Sequence, residues 1–234
     1  MIGPAMGDAI DLLEYPLYGL GQVEYLLGLQ TGTARRWIEG YERRGKVYPP
    51  IVRVEPTGDE IVTWGEFVET RFLAEYRALG ALVINMRPAI EALRERFQTK
   101  YPLAIARPFV AGKELVEQVQ TQVGLDKRLS LVVIRSGQLV LSDPAEHFVK
   151  AVEWDPEEGI VSRLRPLPGN TSVLVDPLRQ FGEPVVRSVP TGIIAEQFDA
   201  GDGVDTIANL FELPTEDVEA ALRYERSRAK APAA

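Results

Sequence analysis

The sequence predicts an α+β chain with an N-terminal winged helix-turn-helix, a central small antiparallel β-rich region and a C-terminal three-helix domain. Three observations carry this prediction. Residues 20–41 hold two short apolar-periodic runs joined by a turn rich in Gly and Thr, the pattern of two helices meeting at an angle. Residues 103–176 hold short Val-, Ile- and Leu-rich runs separated by Gly and Asp, as strands and turns require. Beyond residue 190 the apolar spacing returns to that of helices. The expected units are residues 1–100, 101–178 and 179–234.

In the first unit, Val23, Leu26 and Leu27 form the inward stripe of a helix that Gly28 ends. The polar turn Gln30-Thr31-Gly32-Thr33 caps a second helix starting at Ala34, with Trp37 as its core anchor. Arg35 and Arg36 ride on that second helix. In a helix-turn-helix this element enters the DNA major groove, where guanidinium groups bond to guanine edges or clamp phosphates. On a helix of any other kind the same pair is an ordinary solvated surface.

Tyr48-Pro49-Pro50 then leads into an expected strand at 51–54, a turn at 55–60 and a second strand at 61–63. This hairpin is the wing, and Arg53 is its cation nearest the DNA backbone. A helical face follows at Phe67, Val68, Phe72, Leu73, Tyr76 and Leu79, stopped by Gly80. A further helix carries Met86, Ile90, Leu93 and Phe97, with Pro88 in its first turns, where a missing amide donor is tolerated. Both faces are expected to cover the first two helices, with dimerisation as their alternative use.

Strands are expected at 103–106, 129–134, 138–141, 148–154, 160–164 and 172–175, with turns at Ser136-Gly137 and Glu158-Gly159. No chemistry is visible in this stretch. In the last unit three short helices are expected at 191–200, 204–211 and 215–228.

Formal net charge is -8, which opposes indiscriminate binding to nucleic acid. The distribution is uneven: from Arg35 to Arg53 six cations face two carboxylates, whereas past Phe181 ten carboxylates face five cations. Different partners are therefore expected at the two ends. With no cysteine, disulfides, thiol nucleophiles and cysteine-ligated zinc are excluded. No apolar run approaches the roughly 20 residues that span a bilayer, and the first residues lack a signal-peptide pattern, so a cytoplasmic protein without membrane contact is expected.

An enzyme is not expected, nor a cofactor or metal. His147 is the only histidine, and no serine elbow lies near it. Asp199 to Asp205 superficially matches a calcium loop, but the twelfth position is Leu210 rather than glutamate. Gly19-Leu20-Gly21 follows no expected strand and makes no phosphate cradle. The tail has a helix-turn-helix look of its own, yet Glu216, Asp217 and Glu219 at the start of its last helix would repel phosphates. A protein partner suits it better. Arg223, Arg226, Arg228 and Lys230 form a cationic end that fits an acidic pocket or remains solvated.

Three segments resemble a known family. Residues 21–29 and 33–41, Gly-Gln-Val-Glu-Tyr-Leu-Leu-Gly-Leu and Thr-Ala-Arg-Arg-Trp-Ile-Glu-Gly-Tyr, resemble the helices of a MerR-like helix-turn-helix. Residues 175–186 and 194–225 resemble the small helical domain of certain antitoxins. Together they are similar to the VapB-type antitoxins of VapBC toxin-antitoxin systems. The resemblance implies a PIN-domain ribonuclease toxin (VapC-type) as partner, double-stranded operator DNA as a second, and a homodimer. It implies operator contacts by Thr31, Thr33, Arg35, Arg36, Tyr41, Arg43, Arg44, Lys46 and Arg53. Toxin contacts would come from Phe181, Phe198, Phe211, Arg223, Tyr224, Arg226 and Arg228. Two departures stand out. MerR relatives commonly dimerise through a long coiled coil, which this chain lacks, so dimerisation falls to the middle region, residues 101–178, and many antitoxin tails are disordered, whereas this one reads as folded. The rival reading is a ligand-responsive MerR-like regulator with a small-molecule site in the middle region.

Overall fold

Buried apolar side chains gather into two cores, one drawn from residues 13–175 and the other from residues 173–224. The structure is a computed structural model and describes residues 12–167 and 172–229. It is mixed helix and sheet, with small antiparallel sheets throughout.

The first core is organised by one helix. Strand β1 (Pro16–Gly19) leads into α1 (Leu20–Leu26) and α2 (Thr33–Ile38), then the strands β2 (Tyr41–Arg43), β3 (Lys46–Tyr48) and β4 (Ile61–Thr63) precede α3 (Trp64–Ala78). A capping box starts α3: Thr63 accepts from the Glu66 amide, and Glu66 accepts from the Thr63 amide at 2.9 Å. Twelve of its fifteen residues are buried, so α3 runs through the core rather than along its surface. Trp64 Nε1 donates to the Val161 carbonyl at 2.7 Å, and Phe72 meets Phe148 edge-on at 5.0 Å. The first hundred residues and the middle region thus share a single continuous core.

Two expectations are corrected here. The wing is not built from 51–54 and 61–63, because β4 pairs with β1, in register Tyr18↔Val62 and Gly19↔Ile61. Ile51, Val52 and Arg53 are buried in succession, which breaks the alternation a half-buried strand needs. The Ile51 and Val52 amides both donate to the Trp37 carbonyl, at 2.8 and 3.0 Å. A hairpin does form, but earlier, as β2–β3 around Arg44-Gly45, both with positive φ, as a tight two-residue turn demands. Gly40 makes it possible: at φ +76° it ends α2, and a Cβ there would sit 2.5 Å from the Tyr48 carbonyl.

The middle is less β-rich than expected. After α4 (Arg87–Phe97) come α5 (Arg107–Val110) and α6 (Lys113–Gln122), then the hairpin β5 (Val132–Arg135) and β6 (Gln138–Leu141) turning at Ser136-Gly137. Residues 103–106 contribute only a single bridge, Ile105↔Ile160. The strand expected at 148–154 begins as helix: α7 (Asp143–Ala151) buries Pro144, Ala145, Phe148 and Ala151, a helical period that outweighs the β-branched content. Only β7 (Val152–Trp154) remains extended, paired with β8 (Val161–Leu164).

Strands β9 (Val173–Leu174), β10 (Val185–Val186) and β11 (Val189–Pro190) form a three-stranded sheet that opens the second core. Helices α8 (Thr191–Asp199), α9 (Val204–Phe211) and α10 (Thr215–Ala229) complete it, within a residue or two of the expected bounds. Among the described residues no helix is long and apolar enough to cross a membrane.

Candidate nucleic-acid interface

The turn between α1 and α2 does not cap α2 with its own threonines. Gly32, in the left-handed region, occupies the cap position without a side-chain bond. Glu24 of α1 supplies the acceptors instead, taking the Gly32 amide at 2.9 Å and the Ala34 amide at 2.8 Å. A buried carboxylate at a helix N-terminus satisfies two orphan donors and meets the positive end of the dipole. It also sets the angle between α1 and α2. Thr33 is fully buried and accepts from Arg36 Nη2 at 3.1 Å.

Thr31 and Arg35 are exposed, and Arg36 is half-buried. Arg35 pairs with Glu60 at the surface, a contact of small energetic weight that phosphate could displace. Arg43, Arg44 and Lys46 are all exposed around the β2–β3 turn. Tyr41 is stacked on Tyr48, rings 4.6 Å apart, and Lys46 lies 5.2 Å from the Tyr48 ring. The aromatic pair therefore stiffens the hairpin, and the three cations project from it.

Arg53 is a correction. It is 5% exposed, with Nε donating to Glu66 at 2.7 Å and Nη2 to the Ile61 carbonyl at 2.7 Å. Nη1 reaches Glu39, Thr57 Oγ1 at 2.6 Å and the Asp59 carbonyl at 2.8 Å. The buried Glu66 carboxylate, the partly buried Glu39 carboxylate and the loop 57–61 take up its donors, so it braces the loop rather than facing a DNA backbone.

In the tail, Phe181 is 89% exposed, and both it and Gln180 hold positive φ. Phe198 and Phe211 are half-buried, and Arg223 and Arg226 are exposed. The Arg226 guanidinium lies 5.1 Å from the Phe198 ring. Tyr224 and Arg228 differ from expectation, because both are buried against α1. Tyr224 Oη donates to the Leu26 carbonyl at 3.4 Å, and Arg228 Nη2 to Tyr25 Oη at 3.0 Å. Burial pushes the Tyr224 hydroxyl pKa up despite nearby Arg228. Burial pulls Arg228 down, but Tyr224, Glu225 and Tyr25 more than offset it, and the net shift is upward. Tyr18 Oη donates to the Gly182 carbonyl at 2.5 Å, a second junction between β1 and the tail.

The structure thus places Thr31 in the turn before α2, Arg35 and Arg36 on α2, and Arg43, Arg44 and Lys46 on the hairpin after it, whereas Thr33, Arg53, Tyr224 and Arg228, expected as contacts, are buried and offer no partner surface. Glu24 and Tyr25 were not legible as site residues, since nothing local distinguishes a capping carboxylate from a surface one. His147 is exposed on α7, and no metal-binding group of carboxylates or histidine occurs among the described residues.

Fold and site define an α+β protein in which a helix pair and basic hairpin are clamped to a small helical domain. Residues 173–224 match the family model "Protein of unknown function (DUF433)", the same span as the second core. The chain belongs to the family of "Uncharacterized protein Rv2308" of Mycobacterium tuberculosis, 38% identical over 220 residues, 92% of each chain. It is also similar to "Putative antitoxin VapB45" of the same organism, 27% identical over 188 residues, 74% of this chain and 77% of the relative. The crystal structure of Rv2018 from M. tuberculosis shares the fold, with TM-score 0.74 at 24% identity, covering 90% of this chain and 99% of that one.

Proposed function

We propose that this chain is the antitoxin of a cytoplasmic toxin-antitoxin pair, a dimer that neutralises a PIN-domain ribonuclease and represses its own operon. The observation that carries the reading is the similarity to the relative named antitoxin VapB45 over about three quarters of both chains.

Two features of the molecule support the division of labour. Exposed Arg35, Arg43, Arg44 and Lys46 gather within one short stretch of an otherwise acidic protein, so operator affinity would rest on local charge and groove geometry. The tail presents Phe181, Arg223 and Arg226 outward. An exposed aromatic anchor and exposed guanidinium groups on one small domain suit the carboxylate-lined mouth of a magnesium-dependent nuclease.

The deciding experiment coexpresses the protein of a neighbouring reading frame, assayed for PIN-domain ribonuclease activity, with the full chain, with Phe181→Ala plus Arg223→Ala, and with an Arg43→Ala plus Arg44→Ala variant. Growth rescue by the full chain, its loss in the tail variant and its retention in the hairpin variant are expected. The hairpin variant should fail to bind operator DNA. Failure of the full chain to bind or neutralise that protein would overturn the reading. A ligand-responsive regulator with a small-molecule site in the middle region is the second reading, favoured by a hollow of about 430 Å³ between α6 and β5.

A further inference from the structure

The loop 57–61 is pinned beside α2 at every residue. Glu39, at the end of α2, accepts from the Thr57 and Gly58 amides at 3.1 and 2.8 Å. Buried Arg53 donates to the Asp59 and Ile61 carbonyls at 2.8 and 2.7 Å, the residues on either side of Glu60. The Glu60 carbonyl itself accepts from the Leu20 amide at 3.1 Å. Three consecutive carbonyls are therefore held, and the Glu60 backbone has one position relative to α2. Helix α2 is fixed in turn by the Glu24 cap and by the Ile51 and Val52 amides on the Trp37 carbonyl.

On this frame the Glu60 carboxylate meets Arg35 Nη2 across 25 positions of sequence. Both side chains stay open to solvent, 69% and 55% exposed, so the pair adds little stability. Its effect falls on what Arg35 can bind. One carboxylate oxygen occupies one of the five guanidinium N–H groups and leaves an edge with two parallel N–H bonds. Guanine O6 and N7 are uncharged acceptors that fit such an edge with Glu60 still in place. A phosphate can take Arg35 only by bringing a second negative charge beside a carboxylate whose backbone cannot withdraw, and like charges repel. Among the described residues, Arg43, Arg44 and Lys46 have no ion-pair partner, and nothing of this kind keeps them from phosphate.

We propose that Glu60 is a specificity-determining residue of the nucleic-acid interface, a positioning carboxylate that directs Arg35 to the edge of a guanine and away from the DNA backbone. The role rests on the DNA-binding reading of α2 and its hairpin, and it divides the labour within it: Arg35 reads a base, and the hairpin cations neutralise phosphates.

The probe is a pool of random-sequence DNA duplexes, from which the full chain enriches a site. Affinity for that site, for its single-base-pair variants and for a scrambled duplex is then measured across salt concentrations. Arg35→Ala is expected to lose about tenfold in preference for guanine at one position of the site. Glu60→Gln, whose urea midpoint should match wild type, is expected to lose about fivefold or more at that same position. It should bind the scrambled duplex more tightly, with a salt slope steeper by about 0.9 as Arg35 turns to a phosphate. Glu42→Gln, which removes an exposed carboxylate from the hairpin without touching Arg35, should leave the guanine preference intact. Duplex binding that enriches no sequence, a guanine preference undiminished in Arg35→Ala or in Glu60→Gln, or an equal loss in Glu42→Gln would each overturn the role of Glu60 while DNA binding stands. Failure of the full chain to bind any duplex would overturn the DNA-binding reading, and this role with it.

Discussion

The Arg228 guanidinium lies 4.0 Å from the centre of the Tyr25 ring and donates to that residue's hydroxyl at 3.0 Å, across 203 positions of sequence. Tyr25 is on α1, between Glu24, which caps α2, and Leu26, whose carbonyl accepts from Tyr224. One short helix therefore carries both the fastening of the tail and the orientation of α2. Any partner that pulls on α10 acts on the element that positions Arg35 and Arg36.

Replacing Arg228 removes the cation-π interaction and leaves Glu225, its close ion-pair partner, half-buried and unpaired. Arg228→Ala is expected to lose about 2–4 kcal/mol in urea unfolding. Arg228→Lys should recover only part of it, because a lysine cannot both stack on Tyr25 and pair with Glu225.

The buried role of Arg53 separates stability from DNA binding. Arg53→Met strands the Glu39 and Glu66 carboxylates and is expected to cost about 3–5 kcal/mol, read from a denaturant midpoint. For protein that remains folded, the salt dependence of operator binding should match wild type. Arg43→Ala and Arg44→Ala should instead leave the midpoint unchanged and lower that slope by about 0.9 for each phosphate no longer neutralised.

Glu24→Ala withdraws the acceptors for the Gly32 and Ala34 amides. A loss of about 1–2 kcal/mol is expected, as for other helix caps, together with faster hydrogen exchange at Gly32 and Ala34. Unchanged protection at those two amides would show that the turn caps α2 by itself.

Glu69 gives the fold a pH dependence. Burial pushes its carboxyl up from 4.5 to about 7, against the pull of Arg94 and the Leu103 amide. A folded-state pKa above the unfolded one means that the folded protein prefers the proton. This contribution is therefore complete below pH 4.5 and lost as pH rises through about 7. The urea midpoint should fall between those limits, and Glu69→Gln should flatten that fall.

Local features were legible wherever local physics decided them. The apolar spacing at Val23, Leu26 and Leu27, the Ser136-Gly137 turn, the Phe67-to-Tyr76 face of α3 and the apolar spacing of the three tail helices all act within a few residues. Their elements lie close to where periodicity and turn chemistry place them. The hairpin slipped because Gly40 ends α2 early, and because three successive buried residues, Ile51 to Arg53, read like a strand when taken one at a time. Helices α5 and α6 were missed because their short apolar stretches lie between segments that mimic strands.

By itself, the sequence determined that this is a mixed α+β chain with a helix pair and basic stretch near one end and a helical domain at the other. Only the tertiary structure decided which cations reach solvent. Arg35, Arg43, Arg53 and Arg228 are indistinguishable as letters, yet Arg53 meets Glu66 and Arg228 meets Tyr25 through contacts made by folding. A guanidinium's role depends on whether water or a carboxylate and a ring surround it, and those neighbours come from distant parts of the chain.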